Sequence, residues 1–345
     1  MNQYPIDLSI GELINGQSIL ITGGTGTFGH AMVSILGQYF HPRKIIVFSR
    51  DEYKQSIMNT QFPNQENLRF FLGDIRDIDR LRFALSDVDI VFHAAALKQV
   101  PTLEYNPTEA IKTNILGTMN LVQAAIEKGV KRVMFISTDK AVSPINLYGA
   151  TKLCAEKLVI NANNLSGKGG TIFSVTRYGN IMGSRGSVVP IFRQQLKTRK
   201  ITITDPKMTR FCFMIEDAVS FVLKCTSLMH GREIFIPSLP SYTVEQLVRV
   251  MIHIESLNTK NNQDDIRIEH IGLRPGEKIH ESMVSEHELK YMTSVSSDIS
   301  GNVSTILIIH ESLMSTSGEL FNIPKNSGEA PSIDDTCLMK MIDQS

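Results

Sequence analysis

Short apolar runs punctuate the first half of the chain, and the stretches between them are long enough for a helix: "SILIT" (18–22), "KIIVF" (44–48), "LRFFLG" (68–73), "DIVFHAA" (89–95), "VKRVMFIS" (130–137) and "GTIFSVTRY" (170–178). Runs of this kind read as strands buried on both faces. Their alternation with helical patterns predicts an α/β fold, a doubly wound parallel sheet whose carboxyl ends hold the ligands. After residue 179 the rhythm breaks into shorter elements: a helix near 188–199, a strand near 201–204, a helix near 216–229, then "EIFIP" and the helical "TVEQLVRVMIHI". The pattern predicts a smaller lobe interleaved with the main one. Residues 1–180 are then mainly nucleotide-binding, 181–294 mainly substrate-binding, and 295–345 a polar tail without an assigned role, in which "VSTILIIH" (303–310) adds one strand.

Composition narrows the picture. With 345 residues the chain can bury a substantial core. Lys+Arg and Asp+Glu both total 35 and the pI is about 7.1, so a nucleic-acid footprint is not indicated. The basic "RQQLKTRK" (193–200) reads as a solvated helix face. Cys154, Cys212, Cys225 and Cys337 show neither metal-ligand nor redox spacing, and no metal cluster is expected. No stretch reaches the roughly 18 apolar residues of a membrane span, so the expectation is a cytoplasmic protein with no membrane partner.

"ILITGGTGTFGHAMVSIL" places Gly23, Gly26 and Gly29 at GxxGxxG spacing between the first strand and a helix. That position favours a tight turn, close approach of backbone to a pyrophosphate, and a helix N-terminus facing phosphate charge, the Rossmann-like arrangement; Thr25, Thr27 and Phe28 belong to the same turn. Where a carboxylate would accept the ribose hydroxyls of NAD, the second strand ends in Ser49 and Arg50. A guanidinium can take a 2′-phosphate bidentately with help from Ser49 and Lys54, which favours NADP, although Asp51 offers a ribose acceptor instead. "GDIRD" supplies Asp74, with Ile75, for the adenine. "HAAALK" supplies Ala94 and Ala95, small enough for a dinucleotide to lie against the backbone. His93 reads as a satisfied core histidine, and Asn114 as a residue holding helix backbone.

In "STDKAVSPINLYGATK", Tyr148 and Lys152 stand four apart, on one face of a helix, so an ammonium can stabilise a phenolate able to take a proton from an alcohol. Asp139 and Lys140 add a carboxyl and an amine just upstream; the alternative for Asp139 is a helix N-cap.

Taken together, residues 17–290 resemble the extended short-chain dehydrogenase/reductases that act on nucleotide sugars. The words "SRDEYKQ", "HAAALKQVP", "STDKAVSPINLYGATK", "RYGNIMGSRGSVVP", "ITDPKMTRF" and "GLRPGEKIHE" are similar to those of UDP-N-acetylglucosamine 4,6-dehydratases. The C5-inverting branch that begins pseudaminic acid synthesis is the nearest in kind. Tyr148 supports that branch, because C5-retaining relatives carry methionine there. The resemblance implies hydride transfer from sugar C4 to NADP while Tyr148, aided by Lys152, takes the O4 proton. Lys140 and Asp139 then serve as base at C5 and acid at O6, water leaves, and the hydride returns to C6. For Lys140 to act as a base its pKa must fall toward neutrality, an effect expected from burial near other cations. The same resemblance gives Lys98 to cofactor and sugar, Asn180 and Val188 to the sugar nucleotide, and Arg210 and Arg274 to the UDP diphosphate. It also implies a homo-oligomer. A UDP-sugar 4-epimerase is the nearest rival, but such enzymes carry a hydroxyl residue where Asp139 and Lys140 stand. A non-catalytic NADP-binding regulator is the rival from another class.

Overall fold

The computed structural model describes residues 8–259, 266–296, 305–310 and 324–345. The apolar runs of the first half become six strands: β1 (Ser18–Thr22), β2 (Lys44–Ser49), β3 (Leu68–Leu72), β4 (Ile90–His93), β5 (Arg132–Thr138) and β6 (Ile172–Tyr178). All pair in parallel, in the order β3-β2-β1-β4-β5-β6. Direction along the sheet reverses between β1 and β4, and the crevice outside such a switch point is where this architecture binds ligands. Helices on both faces explain why β1 carries no polar alternation: every one of its five positions is buried. Phe48, Phe92, Phe135 and Phe173 are fully buried along the sheet, each contributing roughly 1.5–3 kcal/mol from loss of water contact.

The remaining strands are β7 (Lys200–Ile203), β8 (Thr209–Phe211), β9 (Ile234–Pro237), β10 (Ser241–Thr243), β11 (Arg267–His270), β12 (Met292–Ser296) and β13 (Thr305–Ile309). The run "EIFIP", read from sequence as part of the smaller lobe, forms β9 and joins the large sheet beside β6. The strand expected in the tail exists as β13, which adds antiparallel to β9 and carries β12 on its far side. A second hydrophobic cluster lies apart from the sheet core and includes Val189, Phe192, Leu247, Met251 and, from the last helix Asp335–Asp343, Leu338 and Met341. It supports helix Val188–Leu196 and the pairs β8·β10 and β7·β11. Among the described residues, no helix is long and apolar enough to cross a membrane.

Candidate active site

A cleft of about 240 Å³ opens beyond the carboxyl ends of β1 to β4. Gly23, Thr25, Ser49, Arg50, Asp51, Lys54, Asp74, Ile75 and Ala95 all line it. Gly23 has φ of +66°, and a Cβ there would stand 2.9 Å from the backbone of Ala95, with the carbonyl carbon of Ala94 at 3.1 Å. Only glycine permits both the turn and the close approach of the two strand ends. Gly26 is the N-cap of the helix Thr27–Tyr39, whose first turn holds Phe28 and the buried Gly29 and points its N–H groups toward the cleft side of the sheet. The shape therefore fits a dinucleotide laid over the glycine turn.

At the far wall, the Asp51 carboxylate caps helix Glu52–Gln61 by accepting from the Lys54 N–H at 3.0 Å, and pairs with Lys54 Nζ at 2.7 Å. Arg50 is half exposed, with Asp74 Oδ2 at 3.9 Å. Asp74 is held mainly by Arg76, whose guanidinium donates to it at 2.7 to 3.1 Å and keeps its carboxyl below the usual range. Ser49 Oγ accepts from Gln55.

The chemical groups gather where β5 ends. A single 3-10 turn, Asp139–Ala141, follows the strand, and Thr138 Oγ1 caps it by accepting from the Lys140 N–H. Asp139 is thus inside the turn rather than at its cap. Its side chain is fully buried: Oδ1 accepts from Thr138 Oγ1 at 2.8 Å and from Lys140 Nζ at 3.1 Å, while Oδ2 has no hydrogen-bond partner among the described residues. Lys140 Nζ also donates to Asn180 Oδ1 at 3.2 Å and lies 3.4 Å from Glu281 Oε1. Burial lowers the Lys140 pKa, but Asp139 and Glu281 outweigh it, and the ammonium is held above its ordinary range. The expectation of a lowered lysine is overturned, because two carboxylates are its nearest charges and the cation Arg210 has the smaller effect.

The next helix, Leu147–Ser166, starts with Asn146 Oδ1 accepting from the Gly149 N–H at 2.8 Å, while Asn146 Nδ2 donates to Gly276 O in the "RPGEK" loop. Gly149 has no room for a side chain, since a Cβ would sit 2.1 Å from Lys140 O. That contact brings Tyr148 onto the Asp139–Ala141 turn. Desolvation pushes the Tyr148 phenol up to about 12, opposed by Lys140 and by a hydrogen bond with Thr138. Lys140 thus bears on the phenol, beside the Lys152 that sequence spacing places on the same helix. Lys152 is buried, donates to Ile136 O at 2.7 Å and lies 3.9 Å from the Phe135 ring centre; burial takes its pKa down to about 7.

Lys98 follows β4 and faces the same region, its pKa lowered by burial and then by Lys140 and Arg185. Asn114, in the π-helical turn Ile111–Leu116, clamps Leu97 through both backbone groups at 2.8 and 2.9 Å and bonds Thr151. It therefore holds the backbone of the loop before Lys98 against Thr151 of the Tyr148 helix, where the sequence reading has it hold helix backbone. His93 is fully buried between Thr22 and Thr118 at 2.7 and 3.0 Å, its pKa depressed to about 3 by burial. Val188 opens helix Val188–Leu196. Arg210, mostly buried, donates to Thr209 O and Ile279 O. Arg274 stands at the surface, its Nε bonded to Glu277 at 2.9 Å, and makes no ion pair with the Lys140 cluster among the described residues. Sequence reasoning missed Glu281, the last residue of a motif it had singled out, and Arg185, whose N–H reaches Thr27 Oγ1 at 3.4 Å.

The parallel sheet with its reversal of strand order, its glycine turn, and Tyr148 and Lys152 on the helix Leu147–Ser166 that follows β5 define an extended short-chain dehydrogenase/reductase. The chain belongs to the polysaccharide biosynthesis protein family, whose sequence profile matches residues 19–301. It is 49% identical over 278 residues, 80% of each chain, to a UDP-N-acetylglucosamine 4,6-dehydratase (inverting) of Campylobacter jejuni. It is also 45% identical over 280 residues, 79% of each chain, to a UDP-glucose 4-epimerase of Rickettsia bellii. Among solved structures, Pen from Bacillus thuringiensis superposes with a TM-score of 0.86 at 37% identity, covering 96% of this chain and 98% of that one.

Proposed function

We infer that this chain is a nucleotide-sugar 4,6-dehydratase that takes UDP-N-acetylglucosamine and inverts C5, giving UDP-2-acetamido-2,6-dideoxy-β-L-arabino-hex-4-ulose, the opening step of pseudaminic acid synthesis. The observation that carries the reading is the convergence of Asp139, Lys140 and Tyr148 at the end of β5, one strand from the nucleotide cleft. A bound nicotinamide would supply the hydride acceptor at sugar C4 and return the hydride at C6. Everything else falls to side chains. Tyr148 takes the O4 proton, with the Lys140 ammonium favouring its phenolate. Once C4 is a ketone, the C5 proton is acidic, and the Asp139 and Lys140 pair exchanges protons at C5 and O6 as a coupled unit. Lys140 carries its proton in the free protein; passing that proton to Asp139, 3.1 Å away, leaves an amine to take the C5 proton and a carboxylic acid to protonate O6 as water leaves.

Asn180 and Val188 orient the sugar, Lys98 spans sugar and cofactor, and Arg210 and Arg274 hold the diphosphate. NADP is the favoured cofactor, because Arg50 faces the cleft half exposed while Asp51 is engaged by its helix and by Lys54. Exposed Tyr105, Ile111, Leu116 and Met119, on neighbouring helical turns, suit a homo-oligomer.

The likeness to the Rickettsia enzyme favours 4-epimerisation as the second reading. Purified protein given UDP-N-acetylglucosamine in D₂O separates the two. The dehydratase yields a product lighter by one water with deuterium at C5, and NMR coupling constants report inversion; an epimer retains its water.

A further inference from the structure

Glu281 lies far along the chain from Lys140 yet places Oε1 3.4 Å from its ammonium, against 3.1 Å for Asp139 Oδ1. Both carboxylates are buried, at 3% and 0% exposure, and each leaves its second oxygen, Oε2 and Oδ2, without a hydrogen-bond partner among the described residues. Burying a carboxylate is costly, and at Glu281 that cost is offset by the Lys140 ammonium and by Arg210 on its other side. Glu281 is also fixed in place. Its N–H donates to Ser327 Oγ at 2.9 Å, and Ser327 Oγ in turn bonds Thr209 Oγ1 at 2.6 Å and Thr209 O at 3.1 Å. This anchors the Glu281 backbone between β8 and the chain after residue 324, and Arg210 Nε lies 3.9 Å from the carboxylate.

We propose that Glu281 is a positioning residue for the dehydration: from a second stretch of chain it grips the Lys140 ammonium and sets the pH at which that group releases its proton. The proposal rests on the dehydratase reading. The charged and titratable groups facing Lys140 are Asp139, Glu281, Arg210, Lys98, Lys278 and the Tyr148 phenol. Neutralising Glu281 leaves three cations against one carboxylate, so the ammonium is less favoured and its titration moves to lower pH. Whether the rate requires Lys140 with or without its proton, the limb it governs moves the same way.

The test is the pH profile of kcat on UDP-N-acetylglucosamine for the wild type, Glu281→Gln and Glu281→Asp. In Glu281→Gln the limb that disappears in a Lys140 variant moves down by roughly one to three pH units, the usual effect of one opposite charge at this range. Glu281→Asp, which retracts the charge without removing it, moves the same limb by less and serves if the Gln variant does not fold. A wild-type profile in whichever variant is folded, judged by its thermal melt and nucleotide affinity, overturns the proposal. A wild-type protein that removes no water from this substrate refutes the functional reading instead.

Discussion

Lys140 Nζ stands 3.1 Å from Asp139 Oδ1, an ion pair between consecutive residues that closes inside one 3-10 turn. Adjacent side chains rarely meet in strands, where they point to opposite faces. The turn that follows β5 brings them to the same side. Replacing Lys140 by alanine removes the candidate C5 base and leaves Asp139 buried without its cation. Dehydration is expected to fall by about a thousandfold or more, as for loss of a positioned proton-transfer group. Product formation followed by mass spectrometry checks it, and turnover within a fewfold of wild type removes Lys140 from the mechanism.

Arg50 and Asp51 divide the work at the end of β2. The carboxylate is committed to the cap of helix Glu52–Gln61 and to Lys54, whereas among the described residues the guanidinium has only Asp74, at 3.9 Å. Arg50→Ala is therefore expected to weaken NADP by roughly 10- to 100-fold, the worth of about one charge-assisted bidentate contact, and to leave NAD nearly unchanged. Titration of intrinsic fluorescence or calorimetry with both nucleotides gives the ratio. Equal losses would mean that the 2′-phosphate is read elsewhere.

The strands were legible because burial on both faces writes itself as uninterrupted apolar runs: β1 and β2 begin where those runs do, and β6 ends at Tyr178 with the run that announced it. β9 was legible as a strand but not as a member of the large sheet, since pairing with β6 and β13 is a long-range choice that local pattern does not encode. In the site, Asp139, Lys140 and Tyr148 were found because they are close in sequence. Glu281 was not, because its motif reads as a cationic loop and its partner lies across the fold. Protonation was the least legible property. Lys140 and Lys152 both sit on one short stretch, yet two carboxylates raise the first while an apolar enclosure lowers the second.

Beneath the site, Arg177 on β6 is buried at 1% exposure and bonds Glu156 at 2.6 and 3.1 Å and Glu288 at 2.9 and 3.1 Å. This network ties the sheet to the Tyr148 helix and to the chain before β12. Glu156→Ala leaves the buried guanidinium with the partly exposed Glu288 as its one carboxylate among the described residues, beside Met283 O, and is expected to cost about 3–5 kcal/mol, lowering Tm by on the order of 10 °C. Replacing the pair together, as Glu156→Leu with Arg177→Met, should recover part of that loss, because no uncompensated charge remains at those two positions. Thermal melts of the three proteins decide it; a double variant less stable than Glu156→Ala would contradict the account.

Lys152 gives stability a dependence on pH that can be isolated. Its pKa is about 7 in the folded protein because burial disfavours the charge, and close to 10.4 in the unfolded chain. Between those values the unfolded chain holds a proton that the folded protein has released, so stability rises with pH, with a slope approaching about 1.4 kcal/mol per unit. Below pH 7 both states are protonated and the full cost of burying the ammonium remains. Lys152→Met removes that contribution while leaving Ile136 O without its donor, a loss of roughly 1 kcal/mol. Denaturant melts of nucleotide-free wild type and variant from pH 6 to 9 should therefore show a difference that favours the variant at pH 6 and shrinks or reverses by pH 9. Parallel curves across the range would mean that Lys152 keeps its proton in the folded protein.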